Sequence, residues 1–170
     1  MHPDPSPESL SRRAFIASTS VGAALPLAAG AFGALPRLGS DEIRVGVIGC
    51  GGRGMGAARN ALEASPDTSI HAIGDVFPDR VEGARSGFAT LAQQFGERAV
   101  PAERHCHVGF DAYGEVLATE CDYVILATPP GFRPQHFAAA VDAGKHVFME
   151  KPVAVDPVGV RTVLDASARA

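Results

Sequence analysis

Three short stretches hold residue types whose spacing could do chemistry. The first is "RVGVIGCGGRGMG", Arg44 to Gly56, where an apolar run breaks into glycines. Gly49, Gly51 and Gly54 fit the spacing GxGxxG, with Gly52 as an additional glycine. In that pattern Gly49 permits a tight turn, Gly51 lets the backbone approach a pyrophosphate without a Cβ in the way, and Gly54 lets a helix pack closely on its strand. A phosphate at such a turn meets free N–H groups and the positive end of the helix dipole. Arg53, inside the motif, lies either against those phosphates or in solvent. Cys50, between the glycines, reads as a small packing residue rather than a nucleophile.

The second feature is Asp75, 21 positions after Gly54. A carboxylate there can accept hydrogen bonds from both adenosine ribose hydroxyls, which favours NAD because a 2′-phosphate would meet like charge. Arg80 acts in the opposite sense and keeps NADP possible. The third is "AGKHVFMEKPVA", in which Lys151 follows Glu150 and precedes Pro152. An ammonium beside a nicotinamide can hydrogen-bond a substrate hydroxyl or carbonyl and stabilise the alkoxide that develops as hydride moves. Pro152 would stiffen the turn that aims it. Glu150 could hold the cofactor's ribose or amide, although read alone the Glu-Lys pair is a salt pair at a rim.

These groups need elements to position them. "IRVGVIG" reads as a strand buried on both faces, and residues from about Gly54 to Ala64 as a helix ended by Ser65-Pro66. "TSIHAIGD" predicts a second strand ending at Asp75, and Pro78 to Gly96 a helix with proline in its first turn and glycine at its end. A weak third strand lies within "ERHCHV", followed by a short helix in "FDAYGEVLAT". "CDYVILATPP" is a clear strand halted by Pro129-Pro130, "RPQHFAAAVDAG" a helix, "KHVFME" a fifth strand and "DPVGVRTVLDASARA" a last helix. The alternation implies an α/β fold with a doubly wound parallel sheet, whose ligands sit beyond the carboxyl ends of the strands. Gly49 to Gly54, Asp75, Thr128 to Pro130 and Glu150 to Pro152 all fall at such ends. Lys145, at the start of the fifth strand, reads as a surface charge.

Composition bounds the rest. With 170 residues, 46% hydrophobic, the chain can build one ordinary core. A net charge of −4 and the lack of any Lys/Arg-rich block argue against a nucleic-acid partner. Cys50, Cys106 and Cys121 are odd in number and widely spaced, so they form neither a disulfide framework nor paired zinc ligands. "HCH" at His105 to His107 is a poor metal tract, because neighbours on a strand point to opposite faces. No metal is expected.

The N-terminus reads as an address. A polar, proline-rich start leads into "SRRAFIAS", and after Arg13 no charge appears until Arg37. A charged region, an Ala/Gly-rich apolar stretch and a small-residue end at Ala29-Gly30-Ala31 make an export signal over residues 1–31, and 32–41 a linker. Arg12-Arg13 followed by Ala14-Phe15-Ile16 resembles the bacterial twin-arginine signal, which implies the twin-arginine export machinery as a partner and a periplasmic location. An uncleaved membrane anchor and a chance Arg-Arg are the competing readings, the first weakened by the Ser, Thr, Gly and Pro residues in the run. Removing residues 1–31 deletes Asp4, Glu8, Arg12 and Arg13, two charges of each sign, so the mature chain keeps −4.

Together, "RVGVIGCGGRG" and "DYVILATPPGFRPQHFAAAVDAGKHVFMEKP" resemble the Gfo/Idh/MocA oxidoreductase family, from about Ile43 to the C-terminus. The resemblance implies a Rossmann domain over 42–170 in which Gly49, Gly51, Gly54, Asp75, Thr128 and Pro129 line NAD or NADP. It further implies that Glu150 binds near the nicotinamide ribose and that Lys151 is the substrate-side catalytic lysine. His136 takes a packing or cofactor-rim role. The implied reaction is hydride transfer between nicotinamide and a secondary alcohol of a sugar, inositol or related polyol. The alternatives are an NAD-dependent glycosidase of the same fold and a non-catalytic nucleotide-binding fragment. Family members continue into a second α/β domain that binds the substrate and supplies further catalytic groups. This chain stops at Ala170, so an incomplete Rossmann domain with an open sheet edge is expected, and a homo-oligomer is possible for the full-length protein. Export of already folded cargo fits a protein that must take up its dinucleotide in the cytoplasm.

Overall fold

The apolar run after Glu42 forms the first strand of a computed structural model that describes residues 42–170. Strand β1, Ile43–Ile48, starts exposed and ends with four buried residues, Val45 to Ile48, as the apolar run after Arg44 requires of a central strand. Strand β2 is Thr68–Asp75, β3 Cys106–Val108, β4 Tyr123–Leu126 and β5 His146–Met149. They form one sheet in the order β3-β2-β1-β4-β5 with every pairing parallel. The expected α/β doubly wound sheet is therefore the observed one. The chain winds outward from β1 to β3, then returns to the other side of β1, so the crossover direction reverses between β1 and β4. Brackets of register keep the carboxyl ends level: Ile48 pairs with Gly74 and with Leu126, and Leu126 with Met149.

Among the described residues four helices cover the two faces, α1 Gly52–Ala64, α2 Pro78–Phe95, α3 Ala112–Leu117 and α4 Arg133–Asp142, and a fifth, α5 Pro157–Ser167, packs on α4. On one face Val45, Val47, Ile70, Ile73 and Ile125 pack with Ala58 and Leu62 of α1 and Val81, Ala84 and Phe88 of α2. On the other, Ile48, Ala72, Val124 and Leu126 pack with Val116 and Leu117 of α3 and Ala140 of α4. Each large side chain so buried contributes roughly 1.5–3 kcal/mol. Strand β5 pairs with β4 alone among the described residues, and its Phe148 is 42% exposed.

Helix ends follow the expected signals. Pro78 opens α2, and Gly96, at a φ of 71°, closes it by donating its N–H to the Ala92 carbonyl. Two readings need correction. Helix α1 begins at Gly52 rather than Gly54, because the extended Gly51 is its N-cap and the two following residues already take up the helical turn. Lys145 is not a free surface charge: its Nζ donates to the carbonyls of Thr119 (3.1 Å) and Cys121 (2.8 Å), satisfying the chain end between α3 and β4. The export signal and linker of 1–31 and 32–41 lie outside the described residues. No helix of the described residues is long and apolar enough to cross a membrane.

Candidate functional site

The glycine loop joins the end of β1 to the start of α1. Gly49 has a φ of 99° and donates its N–H to the Gly74 carbonyl at 2.8 Å. A Cβ on Gly49 would lie 2.7 Å from the Ala127–Thr128 peptide, and one on Gly54 would collide with the Gly49 carbonyl oxygen. These two glycines are required by the protein's own packing. Gly51 and Gly52 differ, since a Cβ on either would meet nothing within 4 Å. The space above them is open, and α1 ends there with no side-chain cap and no acidic residue in its first turn. Uncapped N–H groups and the positive helix end facing an open, side-chain-free cradle fit a pyrophosphate.

Asp75 closes one side of this cradle. Its Oδ2 accepts the Cys50 backbone N–H at 2.8 Å and its Oδ1 the Phe77 N–H at 3.1 Å. One lone-pair direction on each carboxylate oxygen remains, enough for two ribose hydroxyls. Cys50 itself is 5% exposed, and burial, with the Asp75 charge adding to it, pushes its thiol up to about 12. It stays protonated and packs, as its size suggested.

A cleft of about 560 Å³ runs from this point across the carboxyl ends of β2, β1 and β4. Gly49, Gly51, Asp75, Thr128 and Pro129 line it, together with Arg80 and His136. Its apolar wall comes from Phe77, Phe110, Tyr113 and Phe132, exposed or half-buried aromatics that carry no motif. Gly52, Arg53 and Glu150 line a separate groove of about 620 Å³ beside α1, with Tyr123, Ile125 and Phe148. That groove is larger but lies along the α1 face of the sheet, away from Asp75. The cleft over the strand ends is the one with the geometry of a nucleotide site. Arg53 is exposed in the first turn of α1 rather than in a loop. Lys151 is exposed one residue past Glu150 and lines neither cavity, and no ion pair joins it to Glu150 among the described residues. The Lys151–Pro152 peptide is cis.

Two residues of α4 hold the β4 end of the cleft. His136 is 7% exposed, stacks on Tyr113 with ring centroids 4.3 Å apart, and shares a 3.2 Å hydrogen bond between its Nδ1 and the Thr128 hydroxyl. Burial pushes its pKa down to about 4, so the ring is neutral at pH 7. It packs against Tyr113 and lines the cleft. Arg133, three residues earlier on the same helix, is 6% exposed. Its Nε donates to the Thr128 carbonyl at 2.7 Å, and its Nη1 to the carbonyls of Glu150 and Pro152 at 2.5 and 2.6 Å. Sequence reasoning missed Arg133. The available signal was a cation at the first position of a helix, where the dipole disfavours positive charge.

The "HCH" tract scatters its side chains. His105 meets the His71 ring and carbonyl, Cys106 Sγ reaches the Ala102 carbonyl, and His107 pairs with Glu115 at 2.8 Å. Among the described residues no group of three or more His, Cys, Asp or Glu could hold a metal.

Comparison with known proteins agrees with this geometry. Residues 43–170 match the family model GFO_IDH_MocA, an oxidoreductase family with an NAD-binding Rossmann fold. A glycosyl hydrolase family 109 protein of Streptomyces coelicolor is 29% identical over 164 residues, covering 89% of this chain and 33% of the relative. Scyllo-inositol dehydrogenase from Lactobacillus casei, solved with NAD(H) and scyllo-inositol, superposes with a TM-score of 0.58 at 26% identity over 75% of this chain and 33% of that one. A 3-ketoreductase from Actinomadura kijaniata, solved with NADP and TDP-benzene, gives 0.52 at 30% identity over 75% and 34%. The chain thus spans about a third of the length of the relatives it matches.

Proposed function

Since the chain belongs to the Gfo/Idh/MocA family of oxidoreductases with an NAD-binding Rossmann fold, we propose that residues 42–170 hold NAD or NADP for hydride transfer to or from a secondary alcohol of a sugar, inositol or related polyol. One observation carries the reading: the Asp75 carboxylate, the open glycine cradle and the Glu150–Lys151 turn lie along the carboxyl end of a single sheet, in that order from β2 to β5. Bound across that edge, the dinucleotide supplies the hydride acceptor or donor. Gly51, Gly52 and the first-turn N–H groups of α1 bind its pyrophosphate, and Asp75 its adenosine ribose. Thr128 and Pro129 form the floor, held from behind by Arg133 and His136. Lys151 donates a hydrogen bond from Nζ to the substrate oxygen and stabilises the negative charge that grows there as a base outside residues 42–170 takes its proton.

The experiment is reduction of NAD by a panel of inositols and sugars with the full-length protein, repeated with Lys151→Ala. Loss of about 100-fold or more in kcat is expected, since an electrostatic donor to a developing oxyanion is worth that much. An unchanged rate would remove Lys151 from the chemistry. The Streptomyces coelicolor relative supports a second reading, an NAD-dependent glycosidase. Release of aglycone from an aryl glycoside with no added NAD and no net NADH would favour it. We also propose export by the twin-arginine route, resting on Arg12-Arg13. Changing both to Lys should leave the protein in the cytoplasm on fractionation, and continued export would refute it.

A further inference from the structure

The loop that carries Lys151 has little to hold it. Glu150 is still on the sheet ladder, donating its N–H to the Leu126 carbonyl at 3.0 Å. From Lys151 to Val155 the chain makes a single hydrogen bond among the described residues, and Arg133 donates it, to the Pro152 carbonyl. Lys151, Pro152, Val153 and Val155 are all exposed. A residue needed within hydrogen-bond reach of a reacting oxygen thus sits in a segment with almost no backbone ladder of its own.

Arg133 is unusual for the opposite reason. It places a cation at the first position of α4, against the helix dipole, and buries it among carbonyls instead of beside a bound carboxylate. Such burial is costly unless the fork of donors is well satisfied. Three carbonyls satisfy it, one before Lys151, one after it and one in the cofactor-lining loop at Thr128. A planar guanidinium can span these in one fixed geometry, whereas an ammonium on a flexible stem cannot. His136, one helical turn on, holds the Thr128 hydroxyl, so the same face of α4 fixes that residue at two points.

We propose that Arg133 is a positioning residue that locks the Glu150–Lys151–Pro152 turn in register with the Thr128–Pro129 cofactor loop. It touches neither substrate nor dinucleotide; it acts through the placement of Lys151, and in that respect the inference rests on the role proposed for Lys151 above. The arrangement makes nucleotide floor and substrate-side lysine one rigid body, tied by a side chain rather than by sheet hydrogen bonds.

Hydrogen exchange on the full-length protein tests the tie without needing a substrate. In Arg133→Lys, which keeps the charge but not the fork, the Glu150 amide, bonded to the Leu126 carbonyl, should exchange about 10-fold faster or more while those of β1 and β2 keep their protection. Arg133→Ala should go further in the same direction. On whichever polyol the protein oxidises, Arg133→Lys should lower kcat about 100-fold, the effect of a displacement near 1 Å. KM for NAD should stay within about threefold, since uniform binding is not what is lost. The same change in a Lys151→Ala background should cost almost nothing more. Unchanged exchange at Glu150, or a rate loss that persists in full without Lys151, would overturn the proposal. A Lys151→Ala protein with wild-type rate would instead sink the reading of Lys151, and the exchange result would still decide the tie.

Discussion

Oδ2 of Asp75 accepts the backbone N–H of Cys50 at 2.8 Å, linking the carboxylate at the end of β2 to the glycine loop at the end of β1. The proposed ribose partner and the proposed pyrophosphate cradle are therefore one unit. Asp75→Ala removes a charged acceptor from the ribose and a restraint from the loop, and should weaken NAD about 10- to 100-fold. It should also narrow the preference for NAD over NADP, because the like charge facing a 2′-phosphate is gone. Calorimetric titration with both nucleotides reads the two effects, and wild-type affinity for NAD in the variant would take Asp75 out of the site.

The glycines separate into two kinds that mutation should distinguish. Gly54→Ala drives a Cβ into the Gly49 carbonyl and should cost about 1–3 kcal/mol of stability as α1 is pushed off the sheet. Gly51→Ala enters open space at an ordinary negative φ, so stability should change by about 0.5 kcal/mol or less while nucleotide affinity falls. Denaturant midpoints and NADH fluorescence titrations, measured on both variants, separate the packing glycine from the binding one.

His136 gives the fold a pH dependence of definite sign. Its folded pKa, about 4, lies below the unfolded value of about 6.5, so the unfolded chain binds more protons between the two. The contribution is complete above about 6.5 and is lost as the pH falls towards the folded value. His136→Gln, which keeps an amide beside Thr128, should flatten the stability profile across this window. His71, whose pKa burial also lowers, leaves a residual slope in the same direction. A variant whose midpoint still falls as steeply as wild type would assign the dependence elsewhere.

Arg44 and Asp122 join β1 to the start of β4 through two side-chain hydrogen bonds, 3.0 Å from Nε to Oδ2 and 2.8 Å from Nη2 to Oδ1. The guanidinium's hydrogen bond holds the Asp122 carboxyl below the usual carboxylate range. The stabilisation is present above the unfolded pKa of about 3.9 and is lost as pH drops through the lower folded value. Asp122→Asn should cost about 1 kcal/mol near neutrality and less in strong acid, as urea midpoints at the two pH values would report.

Much of this was legible in the sequence because glycine, proline and β-branched runs act locally. The GxGxxG spacing, the Asp75 stop of β2, Pro78 and Gly96 at the ends of α2 and the proline halt after β4 each constrain a few neighbouring residues, and each appears where those constraints put it. The aromatic wall of the cleft was not legible. Phe77, Phe110, Tyr113 and Phe132 come from separate segments and meet only because the parallel order brings their loops to one edge. Arg133 and Lys145 were missed or misread for a related reason: each donates to backbone carbonyls, which every residue has, so no partner residue type marks the contact.

The central place of β1 also governs when the fold can form. As the chain emerges from the ribosome, β1 is made first, and its first neighbour, β2, follows after about 25 residues. Its second neighbour, β4, is registered about 78 residues later, the separation of Arg44 and Asp122. Until then one edge of this central strand offers an unpaired ladder to any other nascent chain. The hydrophobic centre that gives the finished sheet its strength is, during synthesis, the segment longest exposed to mispairing.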